Sequence, residues 1–510
     1  MSNKNESGQA LPLAMMALAF GTLIIAPFLG HAGTSLIGSR TYGEAILHQA
    51  SCDAGIEHAI WSLTRGTLAD QIPDTGDTVT YQLSEALNNL TTSVTVTANS
   101  TGSGGGVIGE IEDVVLDSLE FDNNYGQRPD IIQVSGNVYA IAYRGNGNDG
   151  FIKTVEIATD GQITNSVLDS LEHDTGYAVF ADIIQISSDI FAVAYQGPGN
   201  DGFIKTVEIT SDGNITNSII DNLEFDTGNG REPDIIHVSG NIYAVVYRGN
   251  GNDGFVKTVE IASNGNITNS IVDSLEYDTS NGYYPNIIYI SGDIYAITYR
   301  GNNGDGYIKT IEIADNGNIT NSVIDSLEFD TANCVYPDII HINGNVYAIS
   351  YQGNGNDGFL KTLQIASDGN IASSVTDTLE FDTGNGREPV IIPVTSTVYA
   401  VVYRGNGNDG FVKTVEIASN GNITNSIIDS LEYDTSYGAF PDIIHIFGEI
   451  FAIAYAGPGT DGFVKTISIN TQEATEAAYE IVATTGSKTI TAFINTDNVT
   501  VSIVSWQVDS

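Results

Sequence analysis

The chain has 510 residues, 41% of them hydrophobic, and a formal net charge of −45 set by 63 acidic against 18 basic residues. A surface this anionic repels nucleic acid and anionic lipid headgroups; it suits salty surroundings, divalent cations or cationic partners. The apolar content excludes acid-driven disorder, and two cysteines, Cys52 and Cys334, make neither a disulfide framework nor a C-x-x-C site.

From the N-terminus, residues 10–30 (ALPLAMMALAFGTLIIAPFLG) are almost wholly apolar. A run of roughly 20 such residues can cross a bilayer as a helix. A cleaved signal peptide is the alternative, because Gly30-His31-Ala32 puts small residues at cleavage-type positions. Helical patterning runs on through Ile46, Ile56, Ile60, Trp61 and Leu63. One long helix over 9–66 is therefore expected, its first half in a membrane. Behind it, 67–99 holds alternating apolar and polar residues, as half-buried strands do.

A repeat follows. The words DSLE, DNLE and DTLE start at Asp117, Asp169, Asp221, Asp273, Asp325, Asp377 and Asp429, always 52 residues apart. A period of about 50 with strand-like content points to a propeller. Each unit parses into four strands; in the third they are 234–240, 241–249, 254–263 and 266–277, the second apolar on both faces. After the last unit no fourth strand remains, but 110–121 supplies one ahead of the first unit. A ring needs such an arrangement and a linear solenoid does not. The expected fold is mainly β: a seven-bladed propeller over 107–470, inserted in a small α+β domain. That domain is made of the helix, 67–99 and 478–510, with joints at 100–106 and 470–477.

The flanking pieces carry a resemblance. A polar leader, residues 1–8, ending in Gly8, then QALPLAMMALAFGTLIIAP, then a continuing helix with DAGIEHAIWSL, resembles a type IV pilin-like protein of the minor-pilin (PilX-like) sort. The resemblance covers roughly a quarter of the chain, 9–99 and 479–509. It implies cleavage between Gly8 and Gln9, and assembly with other pilin-like subunits through the N-terminal helix. Leu13 stands where typical pilins carry a Glu, which favours a minor or pilin-like surface protein over a major filament subunit.

In all seven units an Asn/Gly turn between the second and third strands ends in Asp149, Asp201, Asp253, Asp305, Asp357, Asp409 or Asp461. Asn, Asp and Gly tolerate left-handed backbone, so a hairpin is one reading. Weak calcium binding is the other, since that ion takes hard oxygen ligands, although each loop offers a single carboxylate. Calcium is the sole cofactor candidate. One column of the first strands reads Gln133, Gln185, His237, Tyr289, His341, Pro393 and His445. Its three histidines stand on strands too widely separated for one ion's bonds of about 2 Å.

Ligand contacts are expected where the units differ, in the loops that lead into each first strand. These offer Tyr125, Tyr177, Phe180, Arg231, Tyr283, Tyr284, Tyr336, Arg387, Tyr437 and Phe440, groups suited to a glycan or protein surface. The expected function is a cell-surface, pilin-like protein displaying a propeller for adhesion or ligand binding, membrane-held through 10–30, with no nucleic-acid partner. A structural subunit of a filament or surface layer is an alternative. So is a glycan-active propeller enzyme, for which near-identical blades offer no unique catalytic cluster; a non-enzyme is expected.

Overall fold

The computed structural model describes residues 40–65, 68, 71–72, 76–83, 90–99, 107–471, 477–486, 488–496 and 501–509. The leader, the Gly8–Gln9 junction and the apolar run 10–30 lie outside them. Among the described residues no helix is long and apolar enough to cross a membrane. The chain divides into two compact units, 102–475 and the remainder.

The remainder holds a helix, Arg40–Arg65, and a five-stranded antiparallel sheet. In spatial order its strands are Thr78–Gln82, Ser93–Ala98, Ala477–Thr485, Lys488–Thr496 and Val501–Asp509. The sheet thus takes strands from both sides of the other unit. Cys52, Ile56, Ala59 and Leu63, spaced three and four apart, form the buried stripe of the helix. They meet Val94, Val96, Ile481, Ala483, Ile490 and Ala492, the apolar halves of alternating strands.

Residues 102–475 build seven four-stranded antiparallel sheets, a propeller-like repetition. Sheet 1 comprises Gln127–Ser135, Val138–Arg144, Gly150–Glu156 and Asp169–Asp174. Sheets 2 to 7 begin at Val179, Arg231, Tyr283, Val335, Arg387 and Ala439. In sheet 7 the fourth place is taken by Asp117–Asp122, from the start of the unit, paired antiparallel to Gly462–Ser468. The second strands are buried on both faces, as Val138–Arg144 illustrates. First strands begin about three residues earlier than expected. Fourth strands are shorter except in sheet 6, where Ile423–Asp434 is continuous: in sheet 3 the strand is Asp273–Asp278 against an expected 266–277. The reason is local, since the Ser270 N–H turns back to the Thr268 carbonyl (2.7 Å) and interrupts the pairing.

Repeated aspartates join the sheets. At the boundary of sheets 2 and 3, the Tyr247 hydroxyl and the Lys257 ammonium both donate to Asp226 Oδ2 at 2.7 Å. Burial alone would raise the pKa of Asp226, but Lys257 and Tyr247 outweigh it and hold the carboxyl below its ordinary range. Asp221, of the DNLE word, accepts the Ile267 N–H (2.8 Å), and Asp182 accepts the Ile235 N–H (2.6 Å). Sheets 7 and 1 are linked by the same set: Tyr143 and Lys153 to Asp122, Ile163 to Asp117, Ile131 to Asp442.

The Asn/Gly segment is a one-turn 3₁₀ hairpin. Residues Asn146–Asn148 turn, and the Gly145 N–H reaches the Asp149 carbonyl at 2.8 Å. Gly147 has φ +76°, a left-handed conformation that favours glycine, and in the fourth sheet Asn303 takes its place at φ 57°. The Asn148 carbonyl accepts the Ala178 N–H from the loop leading to the next sheet, so both loop sets share one rim.

Candidate functional site at the channel mouth

The first strands of successive sheets lie side by side, the seventh beside the first, around an axis. Each carries a β-bulge at the same place. In sheet 1 the register jumps from Gln127↔Arg144 to Asp130↔Ala142, leaving Arg128 and Pro129 out of the ladder. A bulge redirects a side chain, and here it does so seven times. Arg128, Phe180, Glu232, Tyr284, Tyr336, Glu388 and Phe440 all take left-handed backbone, with φ between 49° and 54°. Non-glycine residues hold that conformation only where surrounding structure imposes it. All seven line one cavity of about 260 Å³.

Five of the seven crowd together. The Arg128 guanidinium carbon lies 3.9 Å from the centre of the Phe180 ring and 3.7 Å from that of Phe440, its neighbours on either side. Across the mouth its Nη2 donates to the Tyr336 hydroxyl at 3.0 Å. Tyr336 packs on Tyr284 with ring centres 4.1 Å apart. The two glutamates are committed to the scaffold. Glu232 accepts from Arg248 (2.6 Å) and from the Tyr284 N–H (2.9 Å). Glu388 accepts from Arg404 (2.5 Å) and from the Phe440 N–H (2.8 Å). Burial raises the Glu388 pKa more than Arg404 lowers it.

Deeper on the axis stands a second column: Asp130, Asp182, Asp234, Asn286, Asp338, Val390 and Asp442. Burial first, then the charge of Asp182, pushes Asp130 up to about 8. Burial raises Asp338 to about 7 and Asp234 to about 6, and drives Asp182 and Asp442 well above the ordinary range. Among the described residues no group of three or more His, Cys, Asp or Glu side chains is arranged to hold a metal ion.

Of the ten expected contact residues, the structure brings Phe180, Tyr284, Tyr336 and Phe440 into the cavity. The other six stay outside its lining. Tyr283 stacks under Arg248 (4.3 Å), Tyr125 lies under Arg144 (5.2 Å), and Tyr177 is exposed. Arg231 and Arg387 keep a buried Nε without a hydrogen-bond partner, and Tyr437 gives its backbone N–H to Asp434. The loop aspartates Asp149, Asp201, Asp253, Asp305, Asp357, Asp409 and Asp461 each end their own 3₁₀ turn. His237, His341 and His445 each bond the carbonyl of their own hairpin, at Gly240, Gly344 and Gly448. Sequence reasoning passed over Arg128, Glu232 and Glu388. The available signal was one column preceding proline in six of seven units.

By sequence, the chain matches no protein-family profile and no curated protein. By structure, it is similar to a protein of unknown function from Dyadobacter fermentans, with 8% identity and a TM-score of 0.42, over 70% of this chain and 98% of the other. A provisionally assigned 6-phosphogluconolactonase from Bacteroides uniformis gives 9% identity and a TM-score of 0.46, over 75% and 97%. A neuraminidase-like protein of A/little yellow-shouldered bat/Guatemala gives 12% and 0.36, over 58% and 95%. None of these likenesses bears on what the chain does.

Proposed function

We propose that residues 107–471 form a closed seven-bladed propeller whose channel mouth binds a ligand at the cell surface, carried on a pilin-like stem. One observation carries the binding reading. Seven equivalent left-handed positions converge on a single cavity and hold four residue types, while the Lys–Asp link behind them is the same at every boundary. Ring closure is supported by the bonds between sheets 7 and 1: Lys153 to Asp122 and Ile163 to Asp117 repeat at every other boundary, and Ile131 to Asp442 recurs at most of them. The stem reading is supported by the helix Arg40–Arg65 packed on an antiparallel sheet and by the apolar run 10–30. Membrane insertion through that run, assembly with other pilin-like subunits and a location on the surface or in a pilus belong to the same proposal. A binding head, rather than an enzyme, is favoured because Glu232 and Glu388 are engaged by Arg248, Arg404 and backbone amides. A glycan or protein surface is the ligand class proposed.

Two measurements test this. Mass spectrometry of protein from membranes and from sheared surface filaments should give a mature start at Gln9. A start at Gly33, in the medium, overturns the stem reading. The double variant Phe180→Ala/Phe440→Ala should lose surface adhesion while still assembling; intact adhesion overturns the binding reading, and failed assembly favours a structural subunit.

A further inference from the structure

We propose that the channel mouth is a receptor for an organic cation, a guanidinium or ammonium group, and that Arg128 occupies it as an intramolecular stand-in. The inference rests on the mouth being the binding site and names what that site recognises. The Arg128 guanidinium lies against Phe180 at 3.9 Å and Phe440 at 3.7 Å, with Tyr336 at 5.5 Å to the ring centre and its hydroxyl as acceptor. Aromatic faces around a planar cation are the arrangement that recognises such groups. No ion pair supports Arg128 among the described residues; the nearby glutamates belong to Arg248 and Arg404. The cation is thus held by the box itself, and a cation from outside meets the same surfaces.

The surroundings select for the same charge. The chain carries a net −45. An anion approaching the mouth meets that field. The stand-in is also removable. The other six copies of this position hold Phe, Tyr or Glu with the same backbone, so truncating residue 128 leaves the local fold as it stands.

The experiment uses the full chain and compares wild type, Arg128→Ala and Arg128→Phe by titration calorimetry with L-arginine amide, tetramethylammonium and D-glucuronate. With the box vacated, Arg128→Ala should bind both cations at least tenfold more tightly than wild type. Arg128→Phe, which refills the box with an apolar ring, should not. Adding Phe180→Ala and Phe440→Ala to Arg128→Ala should remove the gain. Cation binding that is unchanged by Arg128→Ala overturns the proposal. Glucuronate binding to wild type that disappears in Arg128→Ala also overturns it, making Arg128 an anion anchor, yet leaves the mouth as a binding site. Adhesion that survives Phe180→Ala/Phe440→Ala defeats the underlying reading instead. An arginine-bearing peptide run beside the free amide separates a protein side chain from a small molecule as the source of the cation.

Discussion

Two columns of the repeat behave in opposite ways. At Asp122, Asp174, Asp226, Asp278, Asp330, Asp382 and Asp434 all seven copies are aspartate, each taking a Tyr hydroxyl and a Lys ammonium from the next sheet. Six residues further on, the copies are Arg, Phe, Glu, Tyr, Tyr, Glu and Phe, yet their backbone angles agree within a few degrees. The first column holds the geometry, and the second is thereby free to vary in chemistry. The lesson is that a strained backbone position is uniform here because its neighbours are, whatever side chain it carries.

Breaking the uniform column should have the largest effect. Asp226→Ala strips a half-buried ion pair and leaves Lys257 without its partner, costing about 3 kcal/mol. Denaturant unfolding checks this, and a loss below about 1 kcal/mol would show that the aspartates are dispensable.

Next comes the deeper axial column. Folded Asp338 keeps its proton up to about pH 7, whereas the unfolded chain releases it near 3.8. Its contribution is therefore full below pH 3.8 and lost as pH rises through 7. Asn286 already fills this role in sheet 4, its Oδ1 accepting the Ile339 N–H at 3.1 Å. Asp338→Asn should accordingly stabilise by about 2 kcal/mol at pH 8 and by little at pH 4. A thermal shift equal at both pH values would refute the account.

A smaller effect is expected at the single odd copy of a position that is otherwise Phe or Tyr. His173 stands where the other sheets have Phe121, Phe225, Tyr277, Phe329, Phe381 and Tyr433, and neither ring nitrogen has a partner. Burial, then Lys205, pushes its pKa down to about 3. The unfolded chain takes up the proton below 6.5 and the folded chain does not, so stability falls with acidification at about 1.4 kcal/mol per pH unit. His173→Phe should gain about 1–2 kcal/mol at pH 7.5 and more at pH 5. Melting curves at the two pH values decide the matter, and a gain that shrinks on acidification counts against it.

The smallest effect separates the two readings of the Asn/Gly turn. Asp253→Asn should change stability by less than about 0.5 kcal/mol, equally with millimolar calcium and with chelator. A calcium-dependent melting shift lost in this variant would favour the metal reading.

The repeated sheets were legible because their spacing is invariant and their second strands are apolar on both faces. Their borders were less so: the break at Thr268–Ser270 depends on a local backbone bond that no hydrophobic pattern announces. Four mouth residues were found as variable aromatics. Arg128 escaped notice because it closes a polar loop in the sequence, and only the bulge swings it onto the axis. Asp130 and its equivalents escaped because an aspartate before two isoleucines reads as a strand end, whereas its carboxylate bonds across to the next sheet.

The entry and exit of the propeller-like unit are also bonded to each other. The Gly109 N–H reaches the Asn470 carbonyl, and the Asn470 N–H the Glu110 carbonyl, both at 2.8 Å. Pulling on the two ends therefore loads this pairing within sheet 7 first, while the boundaries between sheets stay outside the initial path of the force. Under shear, the unit adds almost no extensible length to the chain that carries it until that pairing opens. Its rupture then becomes the first event at which a chain held at both ends lengthens.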